Sequence, residues 1–186
     1  MEKGINKMEN KIIMDTNVAA KAATPVEECK DEELNLQKEC MVFIKDFVDN
    51  PGSKLVLDAD YEISKEYRNR ISMNTPAGKK FWRWFNSYQS RISAADFVKL
   101  EKDAEGNYKM FPMEERKKEF DLSDRKFIAL ARTHLEHPPV VEAADGKWLG
   151  YKDVFEEYGV YIEFLDMEYV RMMYDRKVLN KSGHAI

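Results

Sequence analysis

The chain lacks any long apolar run. Across 186 residues the longest clean stretch is Phe127-Ile128-Ala129-Leu130-Ala131, far short of the roughly 20 residues that a bilayer-spanning helix needs. No membrane partner is expected. The opening Met1-Glu2-Lys3-Gly4-Ile5-Asn6-Lys7 has none of the apolar core of a secretory signal, so a cytoplasmic location is expected. Cysteine is nearly absent: Cys29 and Cys40 form no zinc or redox spacing, which excludes a disulfide framework and points to reduced thiols. No P-loop and no G-x-G-x-x-G occurs, which leaves nucleotide-triphosphate and dinucleotide binding without support. His134 and His137 stand three residues apart with no third ligand, too few for a zinc site. A basic surplus is also missing. With 34 acids against 30 bases the net charge is −4, whereas proteins that live on nucleic acid usually carry excess Lys and Arg to meet phosphates.

What the chain does contain is enough apolar residue, 44%, for one core burying roughly 70% of the unfolded surface. One domain is expected over 8–166. A polar extension at 1–7 precedes it, a helical elaboration lies at about 77–119, and a C-terminal helix and tail occupy 167–186.

Apolar runs alternate with helical periodicity. Ile12-Ile13-Met14 reads as a buried strand. Leu36, Cys40, Phe43, Ile44, Phe47 and Val48 repeat as one helix face, ended by Asn50-Pro51-Gly52. Residues 54–57 form a second strand, and 61–71 a helix with Ile63, Tyr67 and Ile71 inward. Pro76-Ala77-Gly78 separates that helix from another carrying Phe81, Trp84, Phe85, Tyr88 and Ile92. A loop is expected at 101–107, then a short edge strand over 108–111 before Pro112. A helix over 125–135 follows, with Ser123 or Asp124 as its cap. A strand at Val140-Val141, a helix at 151–158, a strand over 160–164 and a last helix over 167–178 complete the pattern. Strands alternating with helices predict an α/β domain with a mainly parallel sheet. The carboxyl ends of its strands then share the edge where ligands bind.

Acids collect at those ends. Asp15 follows the first strand, Asp58 and Asp60 the second, and Asp145 the Val140-Val141 strand; Glu62 or Glu66 and Asp124 join them from helix starts. Taken singly, these read as turn residues, a cap and solvated charges. Gathered in one crevice, they repel one another unless a divalent cation neutralises them. Oxygen-only ligands select a hard ion, Mg²⁺ or Mn²⁺, suited to phosphoryl chemistry.

Two motifs bring a resemblance. Ile12-Ile13-Met14-Asp15-Thr16-Asn17-Val18 resembles the opening strand and DTN turn of the PIN domain, a family of metal-dependent nucleases. Asp121-Leu122-Ser123-Asp124-Arg125-Lys126-Phe127-Ile128-Ala129-Leu130-Ala131 is similar to its later D-x-x-D helix start. The segments Leu55-Val56-Leu57 to Tyr67 and Val140 to Asp145 stand where the family has its second carboxylate and its T-x-D segment, although Ala143 replaces the threonine. The likeness covers about 11–164. It implies a three-layer α/β/α sandwich around a mainly parallel sheet, and hydrolysis of RNA phosphodiesters by metal-activated water. Asp15, Glu66, Asp124 and Asp145 would be the catalytic metal ligands, with Glu62 a rival to Glu66. Asn17 would orient Asp15, with Thr16 and Asp121 supporting. Many compact members are toxins silenced by an antitoxin, so an antitoxin or a second copy of the chain is an expected partner. The alternatives are a PIN-like module that binds protein or RNA without cutting and, less favoured, a phosphatase with Asp15 as nucleophile. The latter wants a second Asp where Asn17 stands.

From Glu62 to Arg91 two acids face seven bases, a local surplus able to steer a phosphate chain. Arg68, Lys79, Lys80, Trp82, Arg83, Arg125 and Lys126 are the expected nucleic-acid contacts, although packing against a neighbouring helix or a subunit interface is the favoured reading of Trp82 over stacking on a base. Lys117 and Lys118 would lie close by. The four proposed site acids equal the whole excess of acid over base, so net charge is no argument against an RNA substrate.

Overall fold

A computed structural model describes residues 11–112 and 120–182, the side chains of 178–182 excepted. The expected extension at 1–7 and the pair Lys117 and Lys118 lie outside the described residues. The fold is α/β. Strand β1 (Lys11–Met14) pairs in parallel with β2 (Lys54–Leu55) on one side and with β5 (Val140–Glu142) on the other. β5 in turn pairs in parallel with β6 (Ile162–Phe164). β3 (Leu57–Asp58) continues β2 after Val56 and changes partner, pairing in parallel with β4 (Phe97–Val98). Ile12, Ile13 and Met14 are all buried, which is why this strand reads as a continuous apolar run and not an alternating one.

Seven α-helices stand among the described residues: α1 (Thr16–Ala22), α2 (Leu34–Asp49), α3 (Glu62–Arg70), α4 (Pro76–Gln89), α5 (Arg125–Thr133), α6 (Lys147–Glu156) and α7 (Met167–Ser182). The apolar faces of α2 and α4 meet where the Phe47 and Trp84 rings lie 5.2 Å apart, edge to face. Tyr67 of α3 sets its ring edge-on to Phe81 and Phe85 of α4, and its hydroxyl donates to the Met14 carbonyl at 2.6 Å. A second aromatic cluster, Phe111, Phe120, Trp148 and Phe155, closes the region between α5 and α6.

Several expectations change. Pro76-Ala77-Gly78 does not separate helices but makes the first turn of α4. Thr75 Oγ1 accepts from Gly78 N at 3.2 Å, and Pro76 fills the first helical position, where no N–H is needed. Residues 108–111 form no strand. Tyr108 makes one isolated antiparallel bridge to Lys102, and Phe111 turns into the aromatic cluster. β4 is too short to leave a pattern in the sequence. Asp124 occupies the cap position of α5 without a side-chain cap bond. The C-terminal helix is sewn to the body: Tyr169 and Val170 are buried, and Arg176 makes a two-bond fork with Glu32 at 2.9 and 2.7 Å. No helix of the described residues is long and apolar enough to cross a membrane.

From β1 the chain builds outward through β2 and β3 to β4, then returns to the other side of β1 to lay down β5 and β6. The order of the sheet therefore reverses between β1 and β5. In parallel α/β sheets the crevice outside the carboxyl ends at such a reversal is the ligand site.

Candidate metal centre

Asp15 follows β1 at that reversal. Its backbone N–H donates to the Val141 carbonyl at 2.9 Å, and its carboxylate caps α1, with Oδ1 accepting from Asn17 N at 2.7 Å. The side chain is buried, 2% exposed. Burial, and then the Asp124 and Glu66 carboxylates, push it up to about 8, against the pull of the Asn17 N–H and the Lys126 ammonium.

Directly across, at the end of β5, stands Glu142, wholly buried. Its Oε1 accepts from Asn17 Nδ2 at 3.4 Å and from Asp145 N at 3.2 Å. Burial and the negative charge of Asp15 push it well above the carboxylate range. Sequence reasoning passed over Glu142. The signal was there as an acid closing an apolar strand, but its neighbours Val140, Val141, Ala143 and Ala144 drew the eye to Asp145.

Most of the other acids are held by a group of the chain's own. Glu66 meets Lys126 Nζ at 2.5 Å, and that ammonium, itself buried, also donates to the Ser123 carbonyl. Glu62, the rival, is turned away, taking Lys102 Nζ and the Tyr108 hydroxyl at 2.5 Å each. Glu66 is among the charges that raise Asp15. Asp124 is raised by burial and by Asp121 and Asp145, although the Ser123 hydroxyl at 3.0 Å opposes this. Burial pulls Asp145 up, but Lys177 at 2.5 Å and Lys147 at 3.2 Å hold it below the usual range. Asp121 is exposed and paired with Lys147 at 3.1 Å. Asp58 serves α3 as a cap, accepting from Glu62 N at 2.7 Å and Ile63 N at 2.9 Å. Asp60 lies on the surface. Among the described residues no three His, Cys, Asp or Glu side chains stand close enough to hold one ion.

Asn17 orients Asp15 through its backbone. Its side chain instead bridges Glu142 to Arg70, whose Nη2 donates to Asn17 Oδ1 at 3.2 Å. Thr16 Oγ1 is buried without a hydrogen-bond partner among the described residues.

The expected nucleic-acid contacts divide. Arg68, Lys79 and Arg83 are exposed. Lys80 is spent on Asp49 at 2.6 Å. Trp82 is 7% exposed and donates its indole N–H to the Ile71 carbonyl at 3.1 Å, so its ring packs inside the fold. Arg125 is buried, its Nε donating to the Phe120 carbonyl at 3.2 Å and its guanidinium lying over the Phe111 ring. Lys126 is buried at Glu66. All three fail as surface contacts for the same reason: each has a polar or charged partner inside that an outward rotamer would forfeit. His134 is buried as well and bonds Asp96, which also pairs with Lys11 at 2.8 Å.

No protein-family model matches the chain, and no curated protein and no solved structure is significantly similar to it.

Proposed function

We propose that the protein is a PIN-like, Mg²⁺- or Mn²⁺-dependent endoribonuclease of the cytoplasm. The observation that carries this reading is Asp15: a fully buried carboxyl at the reversal of a parallel sheet, raised by burial, Asp124 and Glu66 together. Such a group, raised despite the Lys126 ammonium nearby, would be relieved by a bound cation. The acids whose charges bear on Asp15, Asp124 and Glu66, would offer oxygen donors only, the set a hard ion prefers. A three-layer α/β/α arrangement agrees with α1, α2 and α4 packing on one another while α5 meets β1 and β5.

Asp15, Glu66 and Asp124 would hold the ion, with Asp145 beyond them. A bound divalent cation would activate water and stabilise the leaving oxygen. Asn17 N fixes one oxygen of Asp15, and the Tyr67 hydroxyl locks the carbonyl just before it, so the carboxylate has little freedom to turn. Burial and the charge of Asp15 favour the protonated form of Glu142, which limits the negative charge beside Asp15. Arg70 holds Asn17 in place and brings a positive charge to the rim.

Asp15→Asn and Asp124→Asn are expected to abolish Mn²⁺-dependent RNA cleavage while leaving the circular dichroism unchanged; two variants that cut as well as wild type would refute the site. A second reading, a PIN-like module that binds without cutting, is favoured by one observation, the Lys126 ammonium already seated on Glu66. Calorimetric titration with Mn²⁺ separates the two: a nuclease takes up the ion in an Asp15-dependent way, and a binding module does not.

A further inference from the structure

Helix α2 is apolar on two sides. Leu36, Cys40, Ile44 and Phe47 are buried in the core, while Leu34, Met41 and Val42 are 42, 41 and 47% exposed. A helix that serves one core needs one apolar stripe. Single exposed apolar residues are ordinary, but these three do not stand singly. With Val26, 60% exposed, they line one groove of about 550 Å³, together with Pro76 and Ala77 from the first turn of α4. Contiguous exposed apolar surface marks a place that another molecule covers.

The groove has two ends of opposite charge. Gln37 Nε2 donates to the Thr24 carbonyl at 2.7 Å, which seats the chain leading to Val26 beside the first turns of α2. From Val26 it runs into Glu27 and Glu28, both exposed and paired with no cation among the described residues. From Leu34 to Lys45 the helix rises about 16 Å. At that far end Lys45 and Lys80 share one carboxylate, Asp49, at 3.5 and 2.6 Å, and Lys45 also reaches Asp46 at 3.6 Å. Counting Lys79 and Arg83, exposed on the same turns of α4, four bases stand there against two acids. The charged residues that line the groove itself, Lys38, Lys45 and Lys80, are all cations.

A patch that is acidic at one end, apolar in the middle and basic at the other is complementary to itself turned end for end. A two-fold axis makes that match, since each residue then meets its counterpart from the opposite end of the copy. A patch of one sign would repel its own copy. We infer that the groove is filled by α2 of a second copy of this chain, running antiparallel. Leu34, Met41 and Val42 of the two copies then pack together, and Glu27 and Glu28 of each meet Lys45 and Lys80 of the other. The inference does not rest on the nuclease reading: Asp15, Glu66 and Asp124 do not line the groove, so assembly and cleavage are read separately.

The test is sedimentation of the full chain over a concentration series from micromolar to hundreds of micromolar, in which wild type is expected to pass from 21.8 kDa to twice that mass. Met41→Glu and Val42→Glu each put a charge into the apolar middle and are expected to weaken the dimer about tenfold or more. Both residues are exposed in the single copy, so the circular dichroism should stay that of wild type. Glu27→Lys/Glu28→Lys sets cation against cation, and Lys45→Glu/Lys80→Glu sets acid against acid; each double variant alone should lose about tenfold or more. An equimolar mixture of the two restores both contacts and should regain the dimer as a mixed pair. A dimer that survives Met41→Glu lies on another face and overturns the inference. So does either double variant pairing as tightly as wild type, or a mixture that stays monomeric while wild type pairs. A wild type of 21.8 kDa at every concentration overturns it too and leaves the groove to a different protein.

Discussion

Asp15 and Lys126 show how one residue's setting can be read against the fold's stability. The Asp15 carboxyl is raised from its ordinary value to about 8 by burial and by its acidic neighbours. In protein stripped of divalent ions, the unfolded chain therefore releases this proton from about pH 4 upward while the native state keeps it. Stability is greatest below pH 4 on this account and is lost as pH rises toward 8. Melting temperatures taken in EDTA should fall between pH 5 and 8.5, and Asp15→Asn should flatten the slope; an unchanged slope in that variant would mean another group titrates. Lys126→Met strands Glu66. The expected cost is about 2 kcal/mol, short of the roughly 3–5 kcal/mol for a fully buried partner, because Glu66 keeps a fifth of its side chain in water. Saturating Mn²⁺ should raise the Tm of this variant more than that of wild type, since no ammonium competes for Glu66. Neither the burial of Lys126 nor the partner of Glu142 is legible from the chain alone. A lysine two residues into a helix and a glutamate at the end of a strand both read as solvated unless the facing partner is known, and the partners here lie 60 and 125 residues away.

Elements were more legible than side chains. Ile12-Ile13-Met14 announces a strand covered on both faces, and the face Leu36, Cys40, Ile44 and Phe47 is buried as its spacing requires. Legibility ended where structure is set by close approach and not by periodicity. A Cβ on Gly78 would stand 1.8 Å from the Ser72 carbonyl oxygen, so what looks like a breaker is the point where α4 leans on the chain before it. Gly78→Ala should cost about 2–3 kcal/mol and lower Tm by roughly 5–10 °C, while Thr75→Ala, losing only a cap, should cost about 1 kcal/mol; thermal melts of the two side by side check the order. The pair β3 and β4, two residues each, has no periodicity to show. Its existence follows from β2 changing partners at Val56, which only the folded sheet reveals.

For the molecule as a whole, an ion that binds only the native state stabilises all of it. Mn²⁺ at about 100 times its Kd should contribute about 2.7 kcal/mol, seen as a rise in Tm that Asp124→Asn abolishes; a wild type indifferent to Mn²⁺ would favour the non-cutting module. The same global view gives meaning to the position of β1. The strand nearest the start of the described chain is one of the two inner strands of the four-stranded sheet, and Ile13 takes its neighbour from Val140. Translation at about 5–20 residues per second separates those two residues by roughly 6–25 s. During that interval the nascent chain carries Asp15 without Glu142 opposite it. The acid edge therefore cannot be complete until β5 has joined β1, and a polypeptide cut short before β5 lacks Glu142 and Asp145 altogether.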